Sequence, residues 1–168
     1  MIESIFYAAL GGFLGLLLGS LTEYWVHILM HRRVLLSRTH FNHHREPKGE
    51  NVPKQFAYYV LGSSPFLTAL AVGCWAFGVL PFGLGLFAVG ILCAGWVAYA
   101  HTLQHERPDL VFWMKRPIHH LHHEHHCAGN FGLSVDWWDH AFGTYVVLPW
   151  ERPAGRRRLV GYLTIRWV

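Results

Sequence analysis

The 168-residue sequence predicts an all-α integral membrane protein, with about three transmembrane helices, a fourth being the alternative, and a cytoplasmic cap of histidine-rich helices. Three observations predict it. Hydrophobic residues make up 52% of the chain and charged ones only 14%, against roughly 25% charged in an ordinary soluble domain. Asp, Glu, Lys and Arg are absent from Ser4 to Thr22 and again from Gln55 to His105. The chain also holds 14 histidines, as many as Lys and Arg together, and most are grouped beside those apolar runs.

The length suits a single domain, residues 1–168. The first span is expected at about 4–24. A cleaved signal peptide fits it poorly, because Glu3 is not a basic leader and no small-residue cleavage site follows. The apolar run instead passes into Glu23-Tyr24-Trp25-Val26-His27, an aromatic interface belt that opens a polar segment over 25–54. The second charge-free run is more than twice the roughly 20 residues that one crossing needs. It divides into spans at about 59–79 and 82–103, with Leu80-Pro81-Phe82-Gly83 as the breaker. A second polar segment then covers 101–148.

Every Lys and Arg lies between Arg32 and Lys54 or between Arg107 and Arg166. With three spans those regions share one side, which the positive-inside rule makes cytoplasmic. The charge of +4 is therefore a membrane-topology signal and not a nucleic-acid stripe. Arg156, Arg157 and Arg158 read as a solvent- or headgroup-facing patch. Cys74, Cys93 and Cys127 form no disulfide framework and no CxxC site, and read as inert thiols.

The histidines carry the chemistry. His27/His31 and His101/His105 are i, i+4 pairs at the cytoplasmic ends of spans, and such a pair shares one helix face. His40/His43/His44 and His119/His122/His123 are i, i+3, i+4 triples. A lone interfacial histidine is ordinarily just an amphipathic side chain; two pairs and two triples on one side of a membrane are a ligand set. Ten imidazoles suffice for two ions, and imidazole suits Zn, Cu, Fe or Ni. A zinc-peptidase HExxH motif fails, because Cys127 stands where the second histidine would be. Transport fits poorly too, since the spans hold no midplane ionisable group.

Taken together, His27-x-x-x-His31, His40-x-x-His43-His44, His101-x-x-x-His105 and His119-x-x-His122-His123, followed by Asn130-Phe131-Gly132 and Trp138-Asp139-His140-Ala141-Phe142-Gly143-Thr144, resemble the fatty acid hydroxylase and sterol desaturase superfamily. The likeness runs from about Glu23 to Tyr145. Glu106 and His140 depart from it, standing where a further histidine and an arginine are usual. A second register, His122/His125/His126, also exists in the last cluster; His119/His122/His123 is preferred for its distance to Phe131, which makes His120 and His125 bystanders. His43-His44-Arg45-Glu46-Pro47-Lys48-Gly49 is similar to the carotenoid hydroxylase branch.

The resemblance implies a membrane-bound oxygenase with two iron ions, zinc being able to replace them in purified protein. It implies O₂-dependent hydroxylation or desaturation of a fatty-acyl or sterol-like lipid. The alternatives are a carotenoid ring as substrate, a non-redox zinc enzyme, or a metal-binding or transport protein without catalysis. Electrons must come from a separate ferredoxin, cytochrome or reductase, because no dinucleotide loop, haem motif or iron–sulfur cysteine set is present. Asp139, Glu23, Glu106 and His126 are expected to support the ten ligands, with Glu124 and Asp136 as further carboxylates, through the ring N–H that a metal-bound imidazole commonly gives to an acceptor.

Overall fold

The computed structural model describes residues 1–46, 51–126, 128–153 and 159–167. The expectations for Cys127 and for Arg156 to Arg158 fall outside them, as do Pro47, Lys48 and Gly49. The described chain is all-α. Its helices are α1 (Ile2–His31), α2 (Ser37–Arg45), α3 (Val52–Ala76), α4 (Leu80–Glu106), α5 (Ile118–Glu124) and α6 (Trp137–Phe142). Short 3-10 turns lie at Pro108–Leu110 and Leu159–Leu163.

Among the described residues, α1, α3 and α4 are long and apolar enough to cross a membrane. At 1.5 Å per residue, the 30 residues of α1 reach about 45 Å, beyond a hydrocarbon core of about 30 Å. The excess is about ten residues, and His27 and His31 sit at that end. The 27-residue α4 ends in the same way with His101 and His105.

Local chemistry places the helix ends differently from the charge pattern. Helix α3 begins seven residues before 59, because Asn51 caps it by accepting from the Lys54 N–H at 2.9 Å and Pro53 occupies its first turn. The break between α3 and α4 falls at 77–79, where Gly78 takes a left-handed φ of +72°. Pro81 thus starts α4 and does not interrupt the chain, since a first-turn proline lacks only an N–H that has no partner there. Pro65 lies inside α3 and leaves the Leu61 carbonyl without its i+4 donor. The Ser64 hydroxyl donates to that carbonyl at 2.9 Å, which suits a helix without water around it.

Helix α4 packs against α1 and α3. The α1–α4 approach is glycine-mediated: a Cβ on Gly11 would meet the Phe82 carbonyl, one on Gly15 the Leu86 carbonyl, and one on Gly85 the Ala8 carbonyl. This contact fixes the histidine end of α1 relative to that of α4. An apolar core of Val52, Ala98, Leu103, Leu110, Val111, Met114, Ile118 and Ile165 seats the start of α5 on α4. Gln104 reinforces the seat, its Oε1 accepting from His119 N at 2.9 Å and its Nε2 donating to the Leu133 carbonyl.

Candidate metal centre

Helices α1, α2, α4 and α5 bring their histidines into two groups. His27, His31, His40, His44 and His122 form one; His43, His101, His105 and His119 form the other. Within each group one ring nitrogen from every residue lies within 4.8 Å of all the others. Two nitrogens on opposite sides of one ion, each about 2.1 Å from it, are about 4.2 Å apart. Each group is therefore the size of a single-ion site. His123 lies between them, its ring 4.0 Å from that of His44 and 4.7 Å from those of His43 and His105.

Hydrogen bonding alone does not satisfy these nitrogens. A neutral imidazole nitrogen either donates or accepts, never both. His43, His101 and His105 present Nε2 atoms 3.0, 3.2 and 3.2 Å apart in a closed triangle. Three mutually adjacent nitrogens cannot alternate donor and acceptor, so at least one contact pairs two of the same kind. In the other group His31, His40, His44 and His122 form a closed ring of Nε2 contacts of 2.8–3.3 Å. His27 Nε2 and both ring nitrogens of His123 are buried without a hydrogen-bond partner among the described residues. The ring of four can alternate donor and acceptor, but the triangle cannot; cations held by converging lone pairs remove that conflict and give His27 Nε2 and one nitrogen of His123 a partner, so the residues fit two metal ions.

Burial also favours the neutral form of rings on α2 and α5, which is the form a ligand needs. Burial pushes His40 down to about 3, His44 to about 4 and His122 to about 3, with neighbouring imidazoles adding to it. His119 and His123 are pushed down for the same reasons.

Backbone carbonyls set two tautomers in the five-histidine group. His27 Nδ1 donates to the Phe131 carbonyl at 2.6 Å, and His122 Nδ1 donates to the Gly129 carbonyl at 2.7 Å. A carbonyl only accepts, so in both rings the Nε2 lone pair faces the group. The 129–132 loop that supplies these acceptors is clamped. Asn130 has a φ of +58° and exchanges hydrogen bonds with Val146 at 2.8 and 3.0 Å. Asp139, fully buried, accepts from Phe131 N at 2.7 Å, Gly132 N at 2.8 Å and the Thr144 hydroxyl at 2.7 Å. A Cβ on Gly132 would collide with the Val135 carbonyl. The Asn130-Phe131-Gly132 and Asp139-to-Thr144 motifs are thus one device, a loop brace.

The carboxylates expected to support the ligands have these partners among the described residues. Asp139 reaches the ligands through the loop and not by accepting a ring N–H. Its carboxyl is held above the ordinary range by burial, which outweighs its three donors. Glu23 accepts from Ser134 N and Oγ at 3.0 and 2.8 Å, anchoring the same loop further along. Glu106 accepts from Arg166 N at 2.9 Å and pairs with its guanidinium at 3.5 Å. Glu124 and Asp136 pair with His120 and His140, outside both groups. Helix α5 ends at Glu124, so His125 and His126 lie past it and are exposed, while His119, His122 and His123 are buried.

Two supports were not visible in the motifs. Gln55, from the first turn of α3, lies with Oε1 2.7 Å from His101 Nδ1. The carbonyls of Gly129 and Phe131 carry no side-chain signal at all. Phe131 also packs its ring 5.5–5.7 Å from those of His27, His31 and His122.

Comparison with known families gives a match to the pattern described as fatty acid hydroxylase over residues 12–144. That stretch holds all ten histidines and the loop brace. Searches of curated proteins and of solved structures each returned no significant match.

Proposed function

Because this chain belongs to the fatty acid hydroxylase family, we propose that it is a membrane-bound di-iron oxygenase that hydroxylates a fatty-acyl or sterol-like lipid, desaturation being the variant outcome. The observation that carries the reading is the pair of imidazole groups, five and four nitrogens each within 4.8 Å, at one end of three apolar helices. In this reading His27, His31, His40, His44 and His122 hold one iron, and His43, His101, His105 and His119 hold the other. His123 lies within reach of both. When bound, such a pair supplies the redox capacity to reduce O₂ and oxidise an unactivated C–H bond.

The protein supplies the rest. Its buried imidazoles stay neutral and hold their lone pairs inward, on rings turned by the braced loop. In hydroxylation one oxygen atom enters a C–H bond and the other leaves as water, which consumes two electrons and two protons. A separate ferredoxin, cytochrome or reductase delivers the electrons. The lipid substrate remains in the bilayer, and Phe131 gives the five-histidine group an apolar wall. The positions of Lys and Arg support a centre on the cytoplasmic side.

The test is metal and oxygen analysis of protein purified without air. Iron in both sites, with reductant-driven O₂ uptake that rises on adding a lipid, is the expected result. Zinc alone, with no iron-dependent O₂ uptake, would overturn it. Lipid and carotenoid profiles of cells carrying the protein or its His122→Ala variant then identify the substrate class.

A further inference from the structure

We infer that Gln55 is the positioning residue of the four-histidine group, setting the tautomer of His101 through a relay of three hydrogen bonds. The inference rests on the metal-centre reading above, and the direction of each bond follows from its end. The Ala98 carbonyl can only accept, so the Thr102 hydroxyl donates to it, at 3.0 Å. The Thr102 oxygen thereby accepts from the Gln55 amide nitrogen, at 3.3 Å. That orients the amide, which turns Oε1 toward His101 Nδ1 at 2.7 Å. An amide oxygen only accepts, so His101 carries its proton on Nδ1. Its Nε2 is left as a bare lone pair facing the Nε2 atoms of His43 and His105, both 3.2 Å away.

Burial makes the relay selective. Thr102 is 0% exposed and Gln55 5%, so water does not compete for their polar atoms. The Tyr59 hydroxyl donates to the same Oε1 at 3.4 Å, which adds a second reason for the oxygen to stay where it is. The acceptor is neutral, like the backbone carbonyls behind His27 and His122. Neutral acceptors thus stand behind His27, His101 and His122, which leaves those three rings as imidazole and does not push them toward imidazolate. In the four-histidine group that neutrality depends on one exchangeable side chain.

The experiment compares the intact protein in detergent with Gln55→Leu, Gln55→Glu and Thr102→Val, using zinc(II) alone and then iron(II) alone in anaerobic equilibrium dialysis. Loss of an outer acceptor typically weakens metal binding about 10- to 100-fold. Gln55→Leu is expected to lose affinity for one of the two ions by that factor and keep the other at its wild-type value. Gln55→Glu keeps an oxygen at the same position and is expected to recover most of the loss, with a lower iron reduction potential. Thr102→Val frees the amide to turn over and is expected to lose less than Gln55→Leu.

A second measurement needs no variant of Gln55. With ¹⁵N-labelled histidine in zinc-loaded wild type, the His101 signal, assigned by its loss in His101→Ala, is expected to carry its proton on Nδ1. A proton on Nε2 overturns the inference, as does a Gln55→Leu protein that binds both ions normally, or a Gln55→Glu protein no better than Gln55→Leu. Wild type that binds neither ion overturns the metal-centre reading itself, which separates the two failures.

Discussion

The two histidine groups use the same ligand and are supported in different ways. The five-histidine group is oriented at His27 and His122 by carbonyls of the 129–132 loop, which Asp139 and the loop's own Asn130 hold in place while Glu23 on α1 anchors Ser134 just beyond it. The four-histidine group sits between helices, its pair on α4 facing the first turn of α3, and takes its orientation from a side chain, Gln55. The difference teaches where each half is vulnerable. A backbone acceptor cannot be removed by substitution, so the first group fails through its brace. The second fails through a single amide.

The largest effect is expected from the ligands themselves. His31→Ala opens the ring of Nε2 contacts in the five-histidine group, and His105→Ala opens the triangle in the other. Each variant should lose one ion, by more than the roughly 100-fold upper figure for an outer partner, and should lose oxygenase activity. Metal content per chain checks this. If either substitution empties both sites, the two groups are one cooperative centre and the comparison breaks.

Next in size is Asp139→Ala. It leaves two buried backbone N–H groups and a hydroxyl without their acceptor, at about 1–3 kcal/mol for each donor left unpaired. The loop then no longer holds Phe131 against His27. The ion of the five-histidine group should weaken about 10- to 100-fold while the other is unchanged, with a clear fall in thermal stability. Dialysis and thermal melting read the two effects separately. Equal weakening of both ions would show that the loop braces the whole centre.

Much of this was legible because it is local. Helical spacing put the pairs and triples on common faces, and charge-free runs marked three helices long enough to cross a membrane. What escaped the sequence is long-range or concerns ends. His27 and Phe131 are 104 residues apart, and Gln55 and His101 are 46 apart. Periodicity does not encode such partners; they exist only once α1, α3 and α4 are packed. The partners of the carboxylates are hidden for a related reason. Proximity in sequence suggested that Glu23, one turn from His27, serves that ring, yet its carboxylate reaches Ser134. In sequence Pro81 reads as a stop, whereas in the structure it opens α4, because proline at a helix start is favourable.

A smaller effect, and one shared by both groups, is expected at the helix contact. In Gly11→Ala or Gly85→Ala the new methyl meets backbone on the facing helix and forces α1 from α4. Overpacking of this kind costs about 1–3 kcal/mol. Since His27 and His31 ride on α1, and His101 and His105 on α4, both ions should weaken by similar, several-fold factors. Selective loss of one ion would mean that the groups are positioned independently of the helix contact.

The smallest effect is expected from Glu106→Gln, and it tests the comparison most finely. Glu106 follows His105 directly, and its position suggested a carboxylate behind a ligand. Its oxygens instead engage Arg166, through the backbone N–H at 2.9 Å and the guanidinium at 3.5 Å, with the arginine half exposed. Such a partly solvated pair contributes about 0–1 kcal/mol. The glutamine retains an oxygen for the Arg166 N–H, so melting temperature should barely move and both ions should bind as in wild type. A selective loss at the four-histidine group would instead give that group a carboxylate support, and would end the contrast between a group oriented by a braced loop and one oriented by a single amide.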